Sequence, residues 1–167
     1  MMDKKVILIV EDDPTVGGSL RLLFKKKGYD ILLASNGKEA LHLFKQKVVD
    51  LVITDVVMPK MDGIELLEAV KCLRPETEVI VISAQGTVEK AVQAMKLGAS
   101  DFIEKPINPR VISLLVERAL EKQTLILQNR AARPRRRRCH RGRSSCRAGA
   151  ADHHRRRRRS RSPTLPR

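Results

Sequence analysis

Leu51-Val52-Ile53-Thr54-Asp55 is an apolar, β-branched run that closes on a carboxylate, and its reading decides the fold. Such a run, without polar alternation, describes a strand buried on both faces, the kind found in parallel sheets covered by helices. Working outward, Val6 to Val10 ends in the same way on Glu11-Asp12-Asp13, Val79 to Ile82 ends at Ser83, and Asp101 to Glu104 ends at Lys105-Pro106. Amphipathic stretches fill the gaps from Val6 to about Leu127. The chain therefore reads as an α/β protein with a five-stranded parallel sheet, doubly wound, made of (βα)5 units. Strands are expected near residues 5–10, 30–34, 50–54, 78–82 and 101–104.

Helix starts are marked by capping chemistry. Asp13-Pro14 offers an N-cap and a first-turn proline, Asn36 with Glu39 predicts a capping box, and Asn108-Pro109 repeats the first device. Apolar stripes follow at Val16, Leu20, Leu23 and Phe24, at Ala40, Leu41 and Phe44, and at Ile64, Leu67 and Val70, while Gly28 and Gly98 stand where helices should stop. The last helix begins at Pro109 and stays apolar through Ile112, Leu115, Val116, Ala119, Leu120 and Ile126. It outlasts what a small sheet needs, so residues 118–129 are expected to form a stalk with a tendency to homodimerise.

Charge divides the chain. Residues 1–129 carry 18 Lys+Arg against 18 Asp+Glu, so the net charge of +15 belongs to residues 130–167, which use arginine alone and hold one acid, Asp152. That segment is too poor in apolar residues to order itself, and a disordered Arg-rich tail is expected. Cys72, Cys139 and Cys146 supply no disulfide framework for the folded part, which points to a reducing, cytoplasmic setting. No run approaches the ~20 apolar residues that a membrane span requires.

Carboxylates, a hydroxyl and an ammonium, all at carboxyl ends of strands, suit a site for a divalent cation and a phosphoryl group. Val10-Glu11-Asp12-Asp13, Asp55 with Met58-Pro59 and Asp62-Gly63, Ser83-Ala84, and Lys105-Pro106 together resemble the response-regulator receiver domain of two-component signalling. The likeness is greatest to the nitrogen-regulatory type that precedes a sigma-54-activating ATPase. It implies a flavodoxin-like fold over residues 1–122, a linker helix end at 123–129, and the tail at 130–167. Asp55 would be the phosphoacceptor, fed by a partner histidine kinase. Mg2+ would be held by Asp12 directly, Glu11 through water, Asp55, and the Val57 carbonyl. Ser83 and the Ala84 amide would hold phosphoryl oxygens, Lys105 would pair with another, and Ser83 with Phe102 would form the conformational switch. Asp13 falls one place too late for the acidic pair and fits the helix cap. The resemblance also implies a cis peptide at Lys105-Pro106, and a protein that catalyses only its own phosphorylation and dephosphorylation in order to regulate transcription.

Electrostatics supports the cation independently. Two carboxylates at ~4 Å repel by about 4 kcal/mol at an effective dielectric near 20, and an incoming phosphoryl dianion adds to that. Oxygen-ligated Mg2+ cancels the repulsion. Two other function classes compete. Arg133 to Arg138 and Arg155 to Arg159 would bind nucleic acid non-specifically by counterion release, with no aromatic residue among them to stack bases. An aspartyl phosphatase or dehalogenase would need a carboxylate two places after Asp55, where Val57 stands. No GxxxxGKS/T loop is present, and residue usage changes abruptly near Ala131, which suggests an out-of-frame extension after a lost ATPase frame.

Overall fold

A computed structural model describes residues 3–132. Of the Arg-rich tail expected at 130–167, residues 130–132 continue the last helix, and the remainder, its nucleic-acid binding and its out-of-frame origin concern residues outside the described ones. Five strands, β1 (Val6–Val10), β2 (Asp30–Ala34), β3 (Leu51–Asp55), β4 (Glu78–Ser83) and β5 (Asp101–Glu104), alternate with α1 (Pro14–Lys26), α2 (Gly37–Gln46), α3 (Gly63–Leu73), α4 (Val88–Lys96) and α5 (Pro109–Ala132). All strand pairs are parallel, and their order is β2-β1-β3-β4-β5. This is the flavodoxin-like, doubly wound arrangement, whose strand order reverses between β1 and β3 and opens a crevice at their carboxyl ends.

Strand residues sort by parity onto two cores. Leu8, Val10, Val52, Val79 and Val81 face Ala40, Phe44, Leu66, Leu67, Val70 and Ala94 of α2, α3 and α4. Ile7, Ile9, Leu51, Ile53, Ile80 and Ile82 face Leu20, Phe24, Ile112, Val116 and Leu120 of α1 and α5. Each fully buried side chain of this size contributes roughly 1.5–3 kcal/mol of transfer free energy, so the central strands are held from both sides.

The caps follow the sequence with one correction. Asp13 accepts from Thr15 N, and Gly28 and Gly98 take left-handed φ of 90° and 99°, ending α1 and α4. The expected capping box at Asn36 is only half made. Asn36 accepts from Glu39 N, but the Glu39 carboxylate takes the Ser35 amide and hydroxyl instead of the Asn36 amide. The reciprocal box forms at the start of α3, between Asp62 and Glu65.

α5 runs unbroken to Ala132, so residue 122 lies inside it. Of the 118–129 stretch, Ala119, Leu120 and Gln123 turn inward, whereas Leu125 and Leu127 are exposed. Gln123 is 2 % exposed, accepts from Lys5 Nζ at 3.2 Å and donates to the Asp50 carbonyl at 3.1 Å. Around it, at the amino ends of the strands, the Asp50 carboxylate accepts from Val6 N, and buried Glu78 takes the Ser100 hydroxyl and Lys122. Lys71 donates to the Thr77 carbonyl at 2.7 Å. No described helix is long and apolar enough to cross a membrane.

Candidate functional site

β1 and β3 lie side by side, with Val10 opposite Thr54, so the carboxylates that follow them emerge together at the strand-order reversal. One carboxylate oxygen from each of Glu11, Asp12 and Asp55 lies within 4.8 Å of the others. Glu11 and Asp55 are buried and Asp12 is exposed, so the cluster has a wet side and a dry side. Lys105, carried in from the end of β5, places its Nζ 2.6 Å from Asp55 Oδ2 and 3.0 Å from Glu11 Oε2. The Lys105–Pro106 peptide bond is cis.

One ammonium cannot balance three carboxylates. Burial pushes Glu11 up to about 7; the Lys105 hydrogen bond opposes this, and the nearby Asp55 charge adds to it. Burial works against the Lys105 charge, but the hydrogen bonds to Asp55 and Glu11 outweigh it, and its pKa rises. The shorter bond goes to Asp55, which leaves Glu11 the less neutralised acid. An all-oxygen, electron-rich cluster with a solvent-facing edge fits a hard divalent cation.

The remaining predicted residues surround this centre. Val57 is 63 % exposed at the side chain, and its amide donates to Asp55 Oδ1 at 3.1 Å, fixing the carboxylate plane. Ser83 is fully buried at the end of β4, one step past the residue opposite Asp55. Its hydroxyl accepts from Gln85 N at 3.2 Å, and its carbonyl accepts from Lys105 N at 2.8 Å. Ala84 follows in the exposed β4–α4 loop. Phe102 is half-buried, opposite Val81 and against the core on the α2–α4 side, close to Gly86. Asp13 caps α1 and stands outside the cluster, as its position suggested.

Sequence reasoning named Asp62-Gly63 as part of a motif but assigned Gly63 no role behind the site. Gly63 packs so tightly on the Asp55 carbonyl that a Cβ there would overlap it, and its amide donates to Val56 O at 2.9 Å. The Asp-Gly pair was the available signal, since it places a residue without a Cβ at the first turn of α3.

A model described as "Response regulator receiver domain" matches residues 7–117. Regulatory protein AtoC of Escherichia coli strain K12 is 40% identical over 119 residues, covering 71% of this chain and 26% of AtoC. Among solved structures, NtrX from Brucella abortus superposes with a TM-score of 0.73 at 32% identity, covering 78% of this chain and 30% of that one. The CheX-CheY-BeF3-Mg+2 complex from Borrelia burgdorferi matches with a TM-score of 0.66 at 32% identity, covering 68% of this chain and 87% of that one. This chain thus spans about a quarter of the length of the curated relatives it matches. With the strand order, the acidic cluster and the family match in agreement, the chain belongs to the response regulator receiver domain family of two-component systems.

Proposed function

We propose that this receiver is the phosphoacceptor of a histidine-to-aspartate relay, with Asp55 as the nucleophile. The observation that carries the reading is the Lys105 ammonium held between Asp55 and Glu11, beside a carboxylate cluster that burial leaves short of positive charge. An Asp55 oxygen forms the new bond to phosphorus. The bond to the donor imidazole nitrogen breaks, its electron pair stays on that nitrogen, and the product is an acyl phosphate. Glu11, Asp12, Asp55 and the Val57 carbonyl would hold Mg2+. When bound, Mg2+ supplies charge neutralisation and polarises the phosphoryl group. In support, the solved Borrelia relative carries BeF3, a phosphoryl stand-in, together with Mg2+.

The chain's own groups do the rest. The Val57 amide holds Asp55 Oδ1 and the Lys105 ammonium holds Oδ2; on transfer Lys105 turns from the carboxylate to the charge of the phosphoryl group. Ser83 and the Ala84 amide receive phosphoryl oxygens. Movement of Ser83 toward them lets Phe102, half-buried at rest, turn further inward as a two-state switch. The protein processes no free substrate; its own acyl phosphate is the signal, made and lost in the cytoplasm to regulate transcription. Outward Leu125 and Leu127 of α5 are the surface on which a homodimer would form. Acetyl phosphate with Mg2+ should add one phosphoryl group by intact-mass measurement, and nothing should be added in the presence of a chelator. A chain left unmodified with Mg2+ present overturns this reading.

A further inference from the structure

The turn between β2 and α2 keeps its side-chain hydrogen bonds to itself, yet Glu11 is bonded to the last carbonyl of β2 at its start and the loop that follows Asp55 packs on Gly37 at its end. Asn36 caps Glu39 N, and Glu39 in turn holds the Ser35 amide and hydroxyl, which makes residues 35–39 a self-braced platform. From one side, the Ala34 carbonyl at the head of this turn accepts the amide of Glu11 at 3.1 Å. From the other, Gly37 sits against Met61. A Cβ at Gly37 would lie 2.6 Å from the Met61 carbonyl oxygen and 2.7–2.8 Å from its Cγ and Cβ. Real Cβ atoms do not approach backbone so closely, so a side chain here must push the Met61 main chain away.

Met61 belongs to the seven-residue loop from Val56 to Asp62 that carries Val57. The loop has little freedom to absorb such a push. Val56 N donates to Ile82 O, Gly63 N to Val56 O, Met61 N to Pro59 O, and Val57 N to the Asp55 carboxylate. Lys60 already takes a left-handed φ of 69°, a conformation a side chain adopts reluctantly. Displacement at Met61 therefore travels around a closed ring to Val57 and Asp55.

We propose that Gly37, remote in sequence and bonded to none of the site's carboxylates, is a positioning residue that sets the Val57 carbonyl and the Asp55 carboxylate relative to Glu11. The function assigned to this ring rests on the receiver reading above. The β2–α2 turn thereby acts as a shared template: one backbone atom fixes Glu11, and one missing side chain fixes the loop that must meet it.

The test is a Mg2+ titration of the parent, Gly37→Ala, Met61→Ala and Gly18→Ala, followed by backbone amide NMR together with a melting curve. Gly18 is an α1 glycine with open space around its Cα, and serves as the control. Gly37→Ala should weaken Mg2+ roughly tenfold, the usual effect of disturbing a support behind a metal ligand. Its amide shifts should concentrate at residues 56–62, and its melting temperature should fall below that of Gly18→Ala, because the added methyl crowds the Met61 backbone whereas the control only removes a helix glycine. Should Gly37→Ala fail to fold, Met61→Ala trims the Cγ end of the same contact, leaving the carbonyl and Cβ in place, and should weaken Mg2+ by less than the loss expected for Gly37→Ala. Parent-like affinity in the folded variants, or shifts confined to residues 37–46, overturns the proposal. A parent that binds no Mg2+ refutes the metal-dependent reading instead, and the shifts at 56–62 still decide whether Gly37 governs the loop.

Discussion

The two ends of this one sheet are furnished with the same residue types and behave in opposite ways. At the amino ends, Asp50, Glu78, Lys5, Lys71, Lys122 and Gln123 form a network in which charge meets charge or a backbone partner: Asp50 takes Val6 N and Lys5, Glu78 takes Ser100 and Lys122, and Gln123 bridges Lys5 to the Asp50 carbonyl. At the carboxyl ends, Glu11 and Asp55 share the ammonium of Lys105 with Asp12 close beside them, and burial pushes Glu11 up to about 7. A polar network that is satisfied holds structure together. One left short of positive charge is a receptor for a cation, a proton or a transferred group.

Removing the nucleophile breaks the contrast most completely. Asp55→Asn should abolish phosphoryl incorporation from acetyl phosphate, read by intact mass, while the fold survives, because a crowded negative charge has been taken away. Next in size is Lys105→Ala, which strips the only cation from two buried carboxylates. It should cost about 3 kcal/mol in urea denaturation at neutral pH, the scale of breaking a buried pair from one side. Part of that loss should return when Mg2+ is added, and an equal loss with and without Mg2+ would remove the claim that cation and ammonium answer the same deficit.

At the other end the same kind of deletion should touch stability alone. Gln123→Ala takes one partner from the Asp50 carbonyl, which keeps the Glu78 amide, and one from the Lys5 ammonium, which keeps the Asp50 carboxylate, and should cost about 1 kcal/mol. The rate of phosphorylation should stay at the parent value. A slowed rate would mean the ends are coupled rather than separate.

The same deficit should also be read with pH. In the unfolded chain Glu11 titrates near its ordinary 4.5, and in the folded chain at about 7, so the folded state holds the extra proton between those values. Stability should therefore fall as pH rises from about 5 to about 7.5 in a metal-free buffer. Lys105 does not offset this, because its raised pKa contributes fully below 10.5 and is lost only at higher pH. Melting temperatures across that interval should slope downward without Mg2+ and flatten when it is saturating.

Much of the fold was legible because buried parallel strands carry a one-letter signature: Val and Ile run unbroken and stop at a charge. Expected strand ends differ from the observed ones by one residue at Val6, Leu51, Asp55 and Ser83. The candidate site was legible for the same reason, since the last residue of a strand, Asp55 or Ser83, or the one just after it, Glu11 or Lys105, opens on the crevice. What sequence hid was tertiary. Of the α3 stripe expected at Ile64, Leu67 and Val70, the last two are fully buried and Ile64 only partly, while Leu66 joins them, because α3 turns its wider face to α2 and the sheet. Gln123 reads as a solvated helix position until Lys5, 118 residues earlier, arrives to meet it. Glu39 was expected on the Asn36 amide three residues back, and geometry chose the Ser35 amide four back.

Between Arg110 and Ala132, α5 contains neither glycine nor proline, so it offers no built-in joint along its length. At 1.5 Å per residue its 24 residues span about 36 Å, from the rim beside Lys105 to beyond the opposite pole of the sheet. Such a rod works as a pointer and not as a tether: a tilt of about 5° at Pro109 sweeps Ala132 through roughly 3 Å over that span. A rearrangement at the rim too slight to unseat a side chain can therefore be read at the far end as a change of address.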